Sequence, residues 1–403
     1  MEILKNIRVV DMAQFIAGSR CTQILADMGA EVVHVEPPEG ETMRLIYGLL
    51  GGVERNYSIF NRNKLGVAVD WKRPEGQEVL RNLIGCADIF VHNLIPGSLE
   101  KYRLGYGDIR AVREDIIYVA ISGFGDDSVK PERAAFDIIA QATSGQFWHD
   151  QENLRPPFNH WADLISGAYG ALAALMALIH RMNTGEGQYI DISMQDVLYF
   201  NNYRAMSHKT IKPIMDEVEQ NLGRRPEEVL NSSDRMPFYG FFKSRNGKVA
   251  IVSMTPRQWR DLAETVGHPE MITDPRFSNI LAQIHHHKEA VRLIDEWTSQ
   301  HTSEEIISVL EKKKIPCGTA YDLDEVIEDE NLKHRGMFQK VHHEAFGEVD
   351  VPGIPWMFSK TPGSIRTPAP DLGEHNALVL ANWLGYSPER IGELQEKGIL
   401  SRK

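Results

Sequence analysis

The run Ile7-Arg8-Val9-Val10-Asp11-Met12, the helix-patterned Thr22-Gln23-Ile24-Leu25-Ala26-Asp27-Met28, the turn Gly29-Ala30 and the run Glu31-Val32-Val33-His34-Val35 decide the fold class. Two β-rich segments joined through a helix and a glycine turn form a βαβ unit, which lays its strands parallel. Working outward, residues 66–70 read as strand, 74–83 as helix, and 87–91 and 116–122 as strands. A further strand, 188–194, follows the turn Asn183-Thr184-Gly185-Glu186-Gly187. Strands alternating with helices predict a large α/β domain over residues 1–200 with a parallel sheet.

The texture then changes. Residues 201–235 are polar and broken by Pro213, Gly223 and Pro226, as suits a linker carrying some helix. A smaller α+β domain is expected over 236–330, opening on strands 238–244 and 248–254 joined across Asn246-Gly247, a strong hairpin signal. Helical patterns follow at 256–266, 289–300 and 303–313, the last opened by a Thr302/Glu305 capping box. After Cys317-Gly318 the chain passes Gly336, Pro352, Pro355 and Pro362. Residues 331–403 therefore read as a second linker and a segment with a helical tail, 377–395, that returns to the large domain.

With 403 residues and a formal charge of −12, the chain suits a soluble globular protein and not a nucleic-acid binder, since phosphate binding needs a basic face. The scattered Cys21, Cys86 and Cys317 form no CxxC pair, and the first residues carry no long apolar signal region. A cytoplasmic location is expected. The apolar run 164–179 is too short for a bilayer, which takes roughly 20 apolar residues, and is read as a buried helix with no membrane partner.

Several chemistries lack their signatures. The segment after Met12 holds one glycine, Gly18, where dinucleotide binding wants GxGxxG, and there is no Walker pattern. His285-His286-His287 is the dense histidine cluster, but adjacent histidines do not face one point, so no metal site is expected. Cys317, between Pro316 and Gly318, reads as a small packing residue. Asp163 stands directly against the apolar run. It is either an N-cap of a helix beginning near Leu164, or a carboxylate kept ionised by that helix end and able to act as a nucleophile. Basic residues gather in Asn61-Arg62-Asn63-Lys64, before a strand, and in the segment from Asn93-Leu94-Ile95 to Lys101 and Arg103, after one. Loops at the carboxyl ends of parallel strands are where α/β proteins bind ligands, so these cations either hold phosphates or are simply solvated.

Ordered motifs along nearly the whole chain resemble the class III coenzyme A transferases, the family of formyl-CoA transferase, L-carnitine CoA-transferase and the 2-methylacyl-CoA racemases. They include Val10-Asp11-Met12 with Ala17-Gly18, Leu25-Ala26-Asp27-Met28-Gly29-Ala30-Glu31-Val32, Asn61-Arg62-Asn63-Lys64 and Ile121-Ser122-Gly123-Phe124-Gly125. Further matches are Phe136-Asp137 with Gln141-Ala142 and Ser144-Gly145, Asp163 with Gly167, Thr184-Gly185-Glu186-Gly187-Gln188, Asp274-Pro275-Arg276-Phe277, Ile315-Pro316-Cys317-Gly318, Arg335-Gly336-Met337 and Leu372-Gly373-Glu374-His375. The resemblance implies a Rossmann-like large domain and an open-ring subunit in an interlocked homodimer. It also implies Asp163 as nucleophile, with coenzyme A and acyl-CoA as substrates rather than a permanently bound cofactor, and a carboxylic acid as co-substrate.

By the same resemblance, CoA contacts are expected on Ile16, Ala17, Asn61, Arg62, Asn63, Lys64, Asn93, Leu94, Ile95, Lys101, Arg103, Ala135, Phe136 and Asp137. Two departures stand out. Pro37 occupies a place where some members have a phosphate-binding arginine, which shifts that task to Lys101 with Arg44 or Arg103 as helpers. The glycine-rich lid of formyl-CoA transferase is replaced by Leu230-Asn231-Ser232-Ser233-Asp234-Arg235, which makes formyl-CoA a poorer expectation as substrate. The racemase branch needs a histidine where this chain has Phe136, and a phenyl ring cannot exchange a proton. Transfer is favoured over racemisation. An intramolecular transferase and a non-catalytic subunit of a hetero-oligomer are the remaining readings. Tyr57, His149, His160 and Trp161 stand as pocket-shaping or packing residues.

Overall fold

The structure, a computed structural model, describes residues 2–44, 54–147, 154, 155, 157, 159–203, 205–208, 210, 212 and 236–401. The chain divides into two compact units, Met1–Met206 with Glu330–Lys403, and Ser207–Asp329. The expected lid replacement, residues 230–235, and most of the expected linker lie outside the described residues.

In the large unit β1 (Arg8–Asp11), α1 (Ala17–Asp27) and β2 (Glu31–Glu36) are followed by α2 (Glu54–Asn61), β3 (Lys64–Ala68), α3 (Pro74–Gly85), β4 (Ile89–His92) and β5 (Ile117–Ser122). Then come α4 (Asp137–Thr143), α5 (Trp161–Thr184) and β6 (Gln188–Ser193). The six strands pair in parallel in the order β3-β2-β1-β4-β5-β6, with Val10 opposite both Val33 and Phe90. Between β1 and β4 the strand order reverses, and a crevice opens at the carboxyl ends of these two strands.

Side-chain alternation along each strand feeds two cores. Val10, Val33, Phe90 and Tyr118 pack on one face with α3, whereas Val9, Val32, Val91 and Val119 pack on the other with α1 and α5. The tail forms two helices, α9 (Asn376–Leu384) and α10 (Pro388–Glu396), instead of one. Gly385, in a left-handed conformation (φ 68°), ends the first, and their Leu380, Trp383 and Leu394 close the first core.

The helix α5 has 24 residues, longer than the apolar run suggested, and by length and composition it could cross a membrane. Here Gly167, Gly170, Ala171 and Ala174 are buried on its inner side. A Cβ on Gly167 would stand 2.4 Å from the Ala17 carbonyl, and one on Gly170 would stand 3.2 Å from Cys21 Sγ. Glycine at 167 lets α5 meet the α1 backbone and glycine at 170 leaves room for the Cys21 side chain, which brings the α5 N-terminus beside the crevice.

The Asn61-Arg62-Asn63-Lys64 segment is a buried junction and not a solvent-facing basic loop. Lys64 Nζ lies 2.9 Å from Asp11 Oδ2 and donates to Asn61 Oδ1 at 2.7 Å. The same Asp11 oxygen accepts from Thr22 Oγ1 at 2.8 Å and meets His34 Nδ1 at 3.0 Å. Burial alone would push both titrating groups toward neutrality, but the opposite charges prevail. The Asp11 carboxyl is held well below its usual range, and His34 is pushed up to about 9. Arg62 grips Asp27 through Nε and Nη2, and Asn63 bridges Asp27 Oδ1 to the carbonyl of Ser364.

The smaller unit has an antiparallel sheet of β7 (Tyr239–Ser244), β8 (Gly247–Val252) and β9 (Cys317–Thr319). Against it pack α6 (Pro256–Thr265), α7 (His287–Thr298) and α8 (Ser303–Lys312), around Phe242, Ile251, Leu262 and Ile294. The hairpin tip is Arg245-Asn246, one residue earlier than expected. Arg245 N–H donates to the His301 carbonyl and Asn246 Oδ1 accepts from Ser303 N, so both residues are held at the turn. The Thr302/Glu305 capping box forms as expected.

Removing Lys64 leaves the buried Asp11 carboxylate short of its main counter-charge, which costs about 3–5 kcal/mol. Urea denaturation of Lys64→Met at pH 7 is expected to show a loss of that size.

Candidate active site

A cavity of about 680 Å³ occupies the crevice between the ends of β1 and β4, bounded also by the residues after β5. Its wall includes Ile16, Ala17, Asn93, Leu94, Ile95, Ala135, Phe136, Asp137 and Asp163, nine of the expected site residues. The loops after β1 and β4 are stapled together, because Asn93 Oδ1 accepts from Gln14 N at 2.8 Å and Asn93 Nδ2 donates to the Gln14 carbonyl. Below the second loop, His92 is buried among aromatic rings, and its Nδ1 accepts from Leu94 N at 3.3 Å. Burial drives that imidazole down to about 4, so it is the neutral acceptor the loop requires.

Phe15 holds a left-handed backbone (φ 59°), which a bulky residue adopts only under constraint. The constraint is Glu41, whose Oε2 accepts from Phe15 N at 3.0 Å while its Oε1 faces His34 Nε2 at 3.6 Å. Phe15 thereby turns its ring edge-on to Phe136, with centroids 5.5 Å apart.

Asp163 is not the N-cap of α5. The helix begins at Trp161, which puts Asp163 in the first turn, and the N-cap position His160 makes no side-chain capping bond. Capping comes from another element: Asp137 Oδ1 accepts from Ala162 N at 2.8 Å and from Asp163 N at 3.3 Å. Asp137 is itself held by Gln141 Nε2 at 2.6 Å and has His160 Nδ1 at 3.7 Å. With the helix N–H groups taken, Asp163 lacks the support expected to keep it ionised. Burial first, and the Asp137 charge second, push its carboxyl up to about 7.

The remaining expected contacts lie outside this cavity. Asn61, Arg62, Asn63 and Lys64 are buried in the junction described above, so Arg62 and Lys64 are structural cations in this fold. Arg44 is likewise engaged by Glu36, through Nε at 2.7 Å and Nη2 at 2.9 Å, and stacks on Tyr57. Lys101 and Arg103 are exposed beyond the Asn93–Ile95 wall, as is Arg133 just before Ala134. Of the pocket-shaping residues, His160 lines the cavity, Tyr57 is buried behind it, Trp161 is not in its wall, and His149 lies outside the described residues. Gln14, Phe15, Met43, Ala134, Ile138, Pro157 and Met194 line it without having been named as site residues, and Ile121, Ser122 and Gly123, from one of the motifs quoted above, complete the lining. Gln14 and Phe15 could have been found as the loop following β1, whereas Met43 carries no local signal.

Among the described residues, two groups bring three potential metal-ligand atoms within 4.8 Å of one another: His34, Glu36 and Glu41, and Asp137, His160 and Asp163. In the first, His34 is committed to Asp11 and Glu36 to Arg44; in the second, Asp137 is committed to the helix end. The histidine triplet is split, with His287 buried and its Nδ1 2.8 Å from the Ile284 carbonyl.

The family model described as CoA-transferase family III matches residues 4–376. The chain belongs to CoA-transferase family III. Its CoA-transferase relatives include succinyl-CoA–D-citramalate CoA-transferase of Chloroflexus aurantiacus, 29% identical with 98% of each chain covered. Another is formyl-CoA:oxalate CoA-transferase of Streptomyces avermitilis, 30% identical with 98% of this chain and 99% of the relative covered. A solved CaiB/BaiF family protein from Brucella suis superposes with a TM-score of 0.78 at 26% identity, over 94% of this chain and 99% of the other. This CoA-transferase is accordingly an enzyme acting on CoA thioesters.

With the Asp163 carboxyl pushed up to about 7 from an ordinary 3.8, the fold loses stability as pH rises across that window. Asp163→Asn is therefore expected to melt higher than the parent at pH 8, by on the order of 2–4 °C, and to show no gain at pH 4. Differential scanning fluorimetry at the two pH values checks this.

Proposed function

We propose that the protein moves CoA from an acyl-CoA donor to a carboxylic acid acceptor, with Asp163 as the covalent nucleophile. The supporting observation is a carboxyl group in the crevice wall whose neighbouring helix N–H groups are occupied by Asp137, which leaves its own oxygens uncapped. A carboxylate so placed and partly desolvated is a competent nucleophile.

One Asp163 oxygen attacks the thioester carbonyl, the C–S bond breaks, and a mixed anhydride and CoA thiolate result. The thiolate attacks the aspartyl carbonyl, expels the donor acid as its carboxylate and leaves an aspartyl-CoA thioester. The acceptor carboxylate then attacks that thioester, forming a second mixed anhydride and freeing the thiolate. Attack of the thiolate on the acceptor's acyl carbon yields the new acyl-CoA and returns Asp163 as carboxylate. Thioester is exchanged for thioester, so no ATP is consumed.

Each tetrahedral oxyanion needs donors, and a well-placed one contributes roughly 3–4 kcal/mol. The first turn of α1, which begins at Ala17 in the cavity wall, supplies backbone N–H groups that a helix cannot use internally. Lys101, Arg103 and Arg133 are the exposed cations assigned to the CoA phosphates, in place of Arg62, Lys64 and Arg44. The enzyme is read as a homodimer of interlocked open-ring subunits, which rests on the family resemblance, and as cytoplasmic, which rests on the scattered cysteines and the first residues of the sequence.

Incubation with acyl-CoA donors followed by mass spectrometry of the digested protein is expected to find a covalent CoA adduct on Asp163. Full turnover by Asp163→Ala would sink the mechanism. Because the nucleophile must be ionised, kcat/KM is expected to rise with pH through about 7 and to fall tenfold per pH unit on the acid side.

A further inference from the structure

We infer that the acid handled at Asp163 is an apolar monocarboxylate, of medium-chain or arylalkyl type, rather than a dicarboxylate. This rests on the transferase reading above and adds the substrate class. The cavity wall beside Asp163 presents large apolar side chains to the open space: Phe136 is 63% exposed and Ile138 43%. Phe15 completes this surface, held edge-on to Phe136 by the Glu41 bond that fixes its left-handed backbone. Covering such side chains with an apolar chain is favourable in proportion to the area removed from water, and a hydrated carboxylate gains nothing there.

Charge favours the same substrate. The cavity already holds two carboxyl groups, Asp137 and Asp163, and among its described lining residues the sole basic group is the imidazole of His160, which lies 3.7 Å from Asp137. A dicarboxylate would carry its second anion into a space that holds Asp137 and, among the described lining residues, no Lys or Arg to receive it. A monocarboxylate brings only the group that reacts. Phe136 and Ile138 flank the capping residue Asp137 in sequence, and all three line the cavity together with Asp163. Ile16, Ala17 and the Asn93–Ile95 loop form the wall left for the CoA arm.

The test uses the full-length protein and measures the second-order rate of CoA-adduct formation on Asp163 with octanoyl-CoA and with glutaryl-CoA. The octanoyl thioester is expected to react faster by roughly tenfold or more, the discrimination that a few buried methylenes supply. Equal rates, or a faster glutaryl-CoA, overturn the inference while leaving the transferase reading intact, since the adduct still forms. With Ile138→Arg, a half-exposed position, the ratio is expected to move toward glutaryl-CoA by about tenfold; an unchanged ratio also overturns it. Absence of any Asp163 adduct from both thioesters defeats the transferase reading itself, and the substrate class falls with it.

Discussion

A carboxylate buried at the end of a strand must be neutralised, and the large unit is organised around how Asp11 meets that requirement. Its oxygens collect Lys64 from β3, His34 from β2, Thr22 from α1 and the Ala13 N–H of the following loop. An isolated ion there would be prohibitive, whereas a fully bonded one fixes several elements to one point. That point lies directly beneath the crevice. His34 passes the same constraint to Glu41, and Glu41 passes it to the backbone of Phe15 in the cavity wall.

A second constraint sets the reactive group. Gly167 lets α5 cross α1 at backbone distance while Gly170 leaves room for Cys21, and the crossing carries the α5 N-terminus to the mouth of the sheet. The helix end then needs an anion, and it receives Asp137 from α4 instead of its own Asp163. One acid does the capping, so the other is left uncapped, desolvated and close to a like charge. Its raised pKa follows from burial first and from the charge of the neighbouring Asp137 second.

Much of this was legible in sequence. The βαβ periodicity gave the strands to within a few residues, and the motif pattern placed Ile16, Asn93, Phe136 and Asp163, which the fold brings into one cavity. Two of the misreadings share a cause. Asn61-Arg62-Asn63-Lys64 looks basic and solvent-facing because its partners, Asp27 and Asp11, lie 35 and 53 residues earlier in the chain. Asp163 looks like a cap because the residue that does the capping stands 25 residues away from the N–H it binds. The tail looked like one helix because its apolar pattern continues past Gly385, whose left-handed turn divides it.

By itself the sequence determined the alternating strands and helices, the acidic balance and the family pattern, because periodicity, turn residues and charge are local quantities written along the chain. Only the tertiary structure decided which charges are free to act. A charge is spent or available according to what stands within a few ångströms of it, and in a parallel α/β fold those neighbours arrive from remote segments. Arg62 and Lys64 are thereby consumed as internal counter-ions, Asp137 as a helix cap, and Asp163 alone of these keeps its oxygens uncapped in the crevice.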